Sequence, residues 1–285
     1  MKPRALNRTA LRDHPLPPVV DGDKETKGRI LIVAGSRDVP GAGLLTALAA
    51  MRAGAGKLRI ATAKSAAIAL GIAMPEAMVV GLEEDSNGGF AESAVDTLRK
   101  AASEADAVVA GPGMEPGKSC VEIAEAMLAS EARLALDAAL LRALRQPRSD
   151  RSTMPVLLPH AGELASLLDC DEAEIEDDPL GCGLHAAKAF RSAVLAKGVT
   201  SHVVTPSGDA WAYDGGAAGL GVSGSGDVLA GIVGGLLARG AEPLNALLWA
   251  VWLHGEAGSA LAKRVGPIGF LAREIAEEIP ALLPR

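Results

Sequence analysis

The sequence predicts an α/β fold in which a mainly parallel sheet is covered by helices on both faces. Short apolar runs alternate with longer helical patterns along the 285 residues, and 49% of these residues are hydrophobic but only 2% aromatic. A core of Ala, Leu, Val and Ile suits helices packed closely on buried parallel strands. The chain contains no linker, repeat or low-complexity tract, so we predict one domain over residues 1–285, with a polar lead-in over residues 1–27.

The first unit of the pattern is a strand, a glycine turn and a helix. Residues 28–36 are a short apolar run ending in Gly and Ser, and residues 41–56 form a helical pattern closed by glycines. Further strands are predicted at 56–62, 106–113, 133–140 and 154–160, and further helices at 91–105 and 118–130. In such sheets, ligands bind beyond the carboxyl ends of the strands.

The last third of the chain has a different pattern. Residues 201–216 predict two short strands around a Ser-Gly-Asp turn, and three helices follow at about 226–239, 243–264 and 269–282. We interpret His254 as a structural residue on the buried face of the middle helix.

Composition and charge exclude several classes of protein. The net charge of −7 leaves no basic stripe for nucleic acid, and Cys120, Cys170 and Cys182 have neither disulfide nor zinc spacing, so we predict no protein metal centre. The N-terminus lacks an apolar signal core, and no apolar run reaches the roughly 18 residues that a membrane span needs. We therefore expect a cytoplasmic protein with no membrane partner.

The segment SGSGD, residues 223–227, predicts a tight turn that opens a helix. Backbone N–H groups of Ser225, Gly226 and Asp227 at this helix N-terminus form a typical anion site. Asp227 can act there as a helix cap, or as a general base beside a bound phosphate. The flanking glycines favour the second interpretation, because a phosphate needs close approach to the backbone and a cap does not.

Several motifs together resemble one enzyme family. GSGDVLAGIVGGLLARG followed by ALLWAVWLHGEAG resembles the closing signature of the ribokinase-like superfamily. GSRDVPGAG, AGPGM, LDAALL, LLPHAGEL and LAKGVTS, in that order, resemble more narrowly the ADP- or ATP-dependent NAD(P)H-hydrate dehydratases, over residues 28–258. The resemblance implies a ribokinase-like three-layer sandwich without a separate lid domain.

The resemblance also implies roles for particular residues. Asp227 corresponds to the catalytic carboxylate, which also contacts the substrate. Nucleotide binding is implied for Lys197, Gly198, Val199, Thr200, Ser201, Gly224, Ser225 and Gly226. Substrate binding is implied for Ala42, Gly113 and His160. From the residues alone, ordinary turn chemistry, a helix cap in HAGE and a solvated lysine explain the same positions equally well.

The implied reaction is the repair of hydrated NADH or NADPH with ADP or ATP as co-substrate and Mg²⁺ as cofactor. The nucleotide phosphorylates the ring hydroxyl, and elimination of phosphate restores the dihydronicotinamide. The resemblance also implies a homo-oligomer, usually a tetramer in this family, and is compatible with a separate epimerase partner.

Four departures from the family pattern lie on the substrate side more than on the nucleotide side. Ser223 replaces a glycine, Ala139 replaces a second acid, Leu158 replaces a threonine, and residues 23–25 replace a His-Lys-Gly motif. Two alternatives therefore stay open at this point: a small-molecule hydroxymethyl kinase of the same superfamily, and a nucleotide-binding regulator that has lost catalysis.

Overall fold

The computed structural model describes residues 2–18, 24, 26–146 and 151–284, and one sheet runs through this part of the chain. Its strands are β1 (Arg4–Ala5), β2 (Arg29–Val33), β3 (Lys57–Ala63), β4 (Ala77–Leu82), β5 (Ala107–Ala110), β6 (Arg133–Leu136), β7 (Val156–Leu157), β8 (Ala193–Ala196), β9 (Ser201–Val204) and β10 (Ala210–Tyr213). Their order in the sheet is β1-β10-β9-β8-β7-β6-β5-β2-β3-β4.

The sheet is mainly parallel, as predicted. Only β9 runs antiparallel to its neighbours β8 and β10 within the described residues, and the β9–β10 pair is the hairpin expected at 201–216. The seven strands β2 to β8 point in one direction, so their carboxyl ends share one edge of the sheet. That edge is where the fold places a ligand site.

Helices cover both faces of the sheet. They are α1 (Gly41–Arg52), α2 (Lys64–Ala73), α3 (Ala94–Ser103), α4 (Ser119–Leu128), α5 (Ala139–Ala143), α6 (Ala161–Leu168), α7 (Glu172–Asp177), α8 (Pro179–Phe190), α9 (Ser225–Ala238), α10 (Pro243–Arg264) and α11 (Ala272–Leu282). One apolar core lies between the sheet and α1, α9, α10 and α11, and a second lies between the sheet and α3 to α8.

Helix α9 is the most deeply buried helix of the first face. Three of its glycines permit this packing, because a Cβ on Gly231 would lie 2.3 Å from Thr46 O, on Gly234 2.2 Å from Val109 Cγ2, and on Gly235 2.4 Å from Ala50 O. The backbone of α9 therefore touches both α1 and the sheet. This contact fixes the position of the segment that begins the helix.

Three features differ from the sequence expectations. The lead-in is part of the fold, because β1 extends the sheet beside β10 and Arg4 lies over the ring of Trp211. No prediction covered α7, α8, α2 or β4; β4 is the edge strand of the sheet, and both α2 and β4 carry exposed apolar residues. The last helix begins three residues late, since Gly269 is left-handed with φ of +97°.

Two sequence observations can be compared with the described residues. No helix in this part of the chain has both the length and the apolar character needed to cross a bilayer. Among residues 23–25, only Lys24 is described, and the other two positions lie outside the described residues. The carbonyl oxygen of Lys24 packs against Gly56, where an added Cβ would lie 2.1 Å from it.

Candidate active site

The site lies where the loops after the parallel strands meet. Gly35 N–H, after β2, donates to Pro112 O over 2.8 Å, and Asp137 N–H, after β6, donates to Ala110 O over 3.0 Å. Lys197 N–H, after β8, donates to Pro159 O over 3.0 Å. These bonds join neighbouring strand ends into one continuous rim.

The glycine-rich turn forms the N-terminus of α9. Gly224 is left-handed with φ of +89°, and the helix begins at Ser225. A Cβ on Gly224 would lie 2.4 Å from Leu45 Cδ1, so both its conformation and its surroundings require glycine. Of the three predicted anion donors, Ser225 N–H instead donates to Val222 O over 3.1 Å. The N–H groups of Gly226 and Asp227 have no carbonyl of their own helix to bind, and the positive end of the helix dipole lies there. The turn is therefore suited to bind an anion.

Gly226 leaves open space in front of this turn. The nearest atom to a Cβ built on Gly226 is Lys197 Nζ at 3.8 Å. A phosphate can therefore approach the backbone between the helix N-terminus and the lysine ammonium. Two of the residues predicted to bind nucleotide, distant in sequence, are brought together at this point.

Asp227 is in the first turn of the same helix. Burial raises the pKa of its carboxyl group to about 6; the negative charge of Asp137 contributes to this rise, and Lys197 opposes it. A carboxylate with a pKa near 6 is ionised at neutral pH and is still basic enough to accept a proton from a hydroxyl group. Because Gly224 occupies the cap position and has no side chain, Asp227 is not the N-cap residue.

Lys197 and Asp137 form an ion pair inside the rim. Lys197 Nζ lies 2.9 Å from Asp137 Oδ1, and only 5% of the Asp137 side chain is exposed. The ammonium is thereby held between the carboxyl end of β6 and the first turn of α9. Lys197 is the member of the predicted segment 197–201 that contacts this centre.

Residues 198–200 of that segment form the turn between β8 and β9, and Ser201 begins β9. Thr200 Oγ1 donates to Asp214 Oδ1 over 2.6 Å, and Ser201 Oγ donates to Gly198 O over 3.3 Å. Val199 is fully exposed at the tip. The turn is therefore fixed to the loop after β10, beside the lysine.

His160 and Glu163 begin helix α6. His160 Nδ1 accepts from the N–H groups of Gly162 and Glu163, while Glu163 Oε2 accepts from His160 N–H over 3.0 Å, so the predicted capping arrangement is confirmed. Because Nδ1 accepts, a neutral His160 carries its proton on Nε2, which lies 3.3 Å from Glu163 Oε1. The imidazole is half exposed at the rim.

Glu163 is a buried carboxyl group that the sequence interpretation assigned only to the helix start. Burial raises its pKa, and the charges of Lys197 and Asp137 act on it in opposite directions. Asp137 was likewise seen only as part of a motif. Their positions in the sequence could have indicated that both residues belong to the site. Asp137 directly follows a buried strand and Glu163 lies three residues beyond a predicted strand, and such positions lie at the ligand-binding edge of the sheet.

Ala42 and Gly113 face each other on the other side of the rim. A Cβ on Gly113 would lie 2.3 Å from Ala42 Cβ and 3.0 Å from Val39 O, and Gly113 is left-handed with φ of +61°. Ala42, in the first turn of α1, is 3% exposed. The close contact requires small residues at both positions and leaves a flat wall.

Two departures noted in the sequence are core residues in the structure. Leu158 is completely buried and Ala139, at the start of α5, is 6% exposed. Ser223 is exposed next to the anion-binding turn. The first two therefore pack the fold beside the site, and the third faces solvent at its mouth.

The described residues include no cluster of three or more His, Cys, Asp or Glu side chains arranged to hold a metal ion. Magnesium, however, is usually held by one or two carboxylates together with substrate phosphates. Asp137 and Glu163 are suited to that arrangement, since three carboxyl groups surround the single ammonium of Lys197. The surplus of negative charge favours a cation once a phosphate is present.

The fold and the site define a class of protein. A phosphate cradle, a lysine ammonium and a basic carboxylate at the carboxyl edge of this sheet are the groups required to transfer a phosphoryl group to a hydroxyl. The architecture is that of the ribokinase-like superfamily: a member of that superfamily from Enterococcus faecalis superimposes with a TM-score of 0.82 at 25% identity, covering 98% of this chain and 94% of the other.

Two further comparisons narrow the class. The ADP-dependent (S)-NAD(P)H-hydrate dehydratase of Xanthomonas campestris is 47% identical over 99% of this chain and 96% of its own length. The crystal structure of ADP/ATP-dependent NAD(P)H-hydrate dehydratase from Bacillus subtilis, co-crystallised with ATP and Mg²⁺, matches with a TM-score of 0.86 at 27% identity over 99% and 98% of the two chains. The sequence profile of the NAD(P)H-hydrate dehydratases matches residues 30–281, so the chain belongs to that family.

Proposed function

We propose that this chain dehydrates hydrated NADH or NADPH, using ADP or ATP as the phosphate donor. The observation that carries the proposal is the meeting of Asp227, Lys197 and the open first turn of α9 at one point of the rim. The family membership supports it, and the name of the X. campestris relative makes ADP the first nucleotide to test.

The terminal phosphate of the nucleotide binds the N–H groups of Gly226 and Asp227 and lies beside the Ser225 hydroxyl, with Lys197 as its counter-ion. Gly226 gives the phosphate access to the backbone, Gly224 provides the left-handed turn that places this backbone, and the segment Gly198, Val199, Thr200 and Ser201 contacts the rest of the nucleotide. Two properties support this placement: that segment is fixed beside Lys197, and Gly226 faces open space. Helix N-terminus and ammonium together attract a phosphate more strongly than either alone.

Asp227 is the general base. Its carboxylate accepts the proton of the ring hydroxyl while the hydroxyl oxygen attacks the terminal phosphorus, and the bond from that phosphorus to the nucleotide breaks. The ring nitrogen then supplies an electron pair that expels the phosphate from the neighbouring carbon. Loss of a proton from the next ring carbon restores the double bond of the dihydronicotinamide. Phosphate leaves readily where hydroxide does not, which is why the dehydration uses a nucleotide.

Magnesium, where bound, neutralises charge on the transferred phosphate. Asp137 and Glu163 are the residues that would hold it. Both carboxyl groups lie close to Lys197, and their mutual repulsion is relieved when a cation is added.

Ala42, Gly113 and His160 contribute to binding the hydrated dinucleotide. Ala42 and Gly113 pack against each other on this rim, and the half-exposed imidazole of His160 lies at its mouth. We propose this set on the strength of the family resemblance and of its place on the same rim.

The test is direct. The purified protein is incubated with hydrated NADH and ADP or ATP, and the absorbance of the reduced ring and the release of phosphate are followed together. Equal amounts of both products support the dehydratase. A stable phosphoester on another alcohol would instead show a hydroxymethyl kinase, and nucleotide binding without turnover would show a regulator.

We further propose that residues 1–285 form one domain that assembles as a homo-oligomer, with a tetramer as the family precedent. Ile68 and Ile72 on α2 are 80% and 79% exposed, and Met78 on the edge strand β4 is 59% exposed, which favours a covered surface. Light scattering on the purified chain tests the assembly.

The carbon that bears the ring hydroxyl is a stereocentre, and a single base accepts one epimer. We therefore propose that a separate epimerase supplies this epimer, and that both enzymes work in the cytoplasm. Adding an epimerase to an equal mixture of the two hydrate epimers should raise the recoverable fraction from about one half to nearly all.

A further inference from the structure

We infer that His254 is a positioning residue that holds the phosphate-binding turn in place from behind. The inference rests on the proposed function for its meaning in catalysis but not for its geometry. His254 Nε2 lies 3.1 Å from the carbonyl oxygen of Ser225 and 3.0 Å from Ser225 Oγ. Ser225 is the first residue of α9: its own N–H donates to Val222 O over 3.1 Å, and the N–H groups of Gly226 and Asp227, the donors left for a phosphate, follow it directly.

The hydrogen bond defines the protonation of the imidazole. A carbonyl oxygen only accepts, so His254 Nε2 carries the proton and donates it to Ser225 O. Burial lowers the pKa of His254 to about 4, and the nearby charge of Lys197 acts in the same direction. The imidazole therefore stays neutral at physiological pH, and the donor remains in place beside a bound phosphate.

Helix α10 fixes both ends of the segment that leads into the turn. Tyr213 Oη donates to Glu256 Oε1 over 3.1 Å at the end of β10, and Ser259 Oγ donates to Gly216 O over 3.2 Å. His254 makes the third contact, at Ser225. The segment from residue 213 to residue 225 is thereby fastened to one helix at three places, and the His254 contact is the one at the phosphate donors.

A simple packing role does not require this chemistry. The ring nitrogen Nε2 of His254 faces two polar atoms of one residue, Ser225 O and Ser225 Oγ, instead of apolar neighbours. Loss of the donor removes the side-chain partner of Ser225 O, leaves that carbonyl with its helix bond alone, and lets the first turn shift. A shift of the donors weakens phosphate binding and transition-state stabilisation but leaves the adenosine contacts intact.

The experiment compares His254→Leu, which removes the donor, with His254→Gln, whose amide nitrogen can replace Nε2. Trp249→Phe is the matched control, because it removes another hydrogen bond from α10, that from Trp249 Nε1 to His14 O over 2.7 Å. Calorimetry gives the ADP and adenosine affinities of each variant, and thermal unfolding gives its stability.

We expect His254→Leu to lower the ratio of ADP to adenosine affinity about tenfold or more, and to lower kcat with little change in the KM of the hydrate. His254→Gln should retain most of the affinity ratio and most of kcat, and Trp249→Phe should change neither the affinity ratio nor kcat. The inference is overturned if His254→Leu keeps the wild-type ratio, if His254→Gln loses as much, or if Trp249→Phe shows the same loss. If the wild-type chain shows no dehydration at all, the proposed function fails, whereas the affinity ratio still decides the role of His254.

Discussion

The ammonium of Lys197 and the carboxylate of Asp137 form a 2.9 Å ion pair although their strands, β8 and β6, are separated in the sheet by β7. Each residue directly follows its strand, so the parallel register brings them to the same edge. The pair places a positive charge in front of the first turn of α9, and among the described residues Lys197 is the ion-pair partner of the buried Asp137 carboxylate.

Removing the lysine should therefore have two separable effects. Lys197→Met should weaken ADP binding at least tenfold and lower the free energy of unfolding by about 3 kcal/mol, because Asp137 is left buried and unpaired. The double variant Lys197→Met with Asp137→Asn should recover most of the stability but not the ADP affinity. Urea unfolding and calorimetry measure the two quantities. Recovery of ADP binding in the double variant would contradict a phosphate role for Lys197.

Replacing the base should abolish turnover and spare binding. Asp227→Asn removes the proton acceptor, and we expect kcat to fall by roughly 10³-fold while ADP affinity changes little. Asp106→Asn is the control, since Asp106 pairs with Arg29 at the amino ends of the strands, on the opposite edge of the sheet. An Asp227→Asn variant with near-normal kcat would show that another group accepts the proton.

The pH dependence should report the same carboxyl group. With a pKa of about 6 for Asp227, kcat/KM should rise with pH at a slope of one up to about pH 6 and level off above it. Lys197 lowers this pKa and Asp137 raises it, so Lys197→Met should move the break to higher pH and Asp137→Asn to lower pH. If the break in the kcat/KM profile stays at the same pH in both variants, Asp227 is not the group that titrates there.

The same pKa predicts how stability depends on pH. The folded-state pKa lies above the ordinary 3.8, so the folded protein holds its proton where the unfolded chain has lost it, and stability falls as pH rises from about 4 to 6. Asp227→Asn should remove that loss and be more stable than wild type by up to about 3 kcal/mol above pH 6. Near pH 3 the two proteins should be equally stable. Urea unfolding at several pH values makes the comparison.

Two neighbouring glycines should behave differently when alanine replaces them. Gly224→Ala introduces a Cβ into Leu45 at a left-handed position, so we expect a loss of more than about 2 kcal/mol of stability. Gly226→Ala places its methyl group in open space 3.8 Å from Lys197 Nζ, so folding should be retained while ADP affinity falls. Unfolding and calorimetry on the pair test the assignment. Equal ADP affinity in wild type and Gly226→Ala would contradict the placement of the phosphate next to Gly226.

Strong local patterns made most of the fold predictable. Continuous apolar runs in the sequence predict the strands β2, β5 and β6, and the segment SGSGD predicts the glycine turn before α9. Helix α2 could not be found in this way, because its apolar residues Ile68 and Ile72 face solvent. The pairing of β1 with β10 depends on residues more than 200 positions apart and has no local signal.

The candidate site was predictable in its residue types and less so in its connections. Asp227 and Lys197 were identified from motifs, but their coupling through Asp137 depends on strand order, which no local pattern encodes. Glu163 was interpreted as a helix start, and it is one, yet its carboxyl group also belongs to the charged cluster. A local sequence pattern indicates the helix-capping role of such a residue, but its contact with distant charged residues depends on the fold.

The glycines of α9 have a consequence for how the protein can change over time. Because the backbone of this helix lies directly against α1 and β5, a larger residue at Gly231, Gly234 or Gly235 would push the phosphate-binding turn and Asp227 out of place together. Selection for activity should therefore remove substitutions at these interior glycines as strictly as it removes substitutions at the rim.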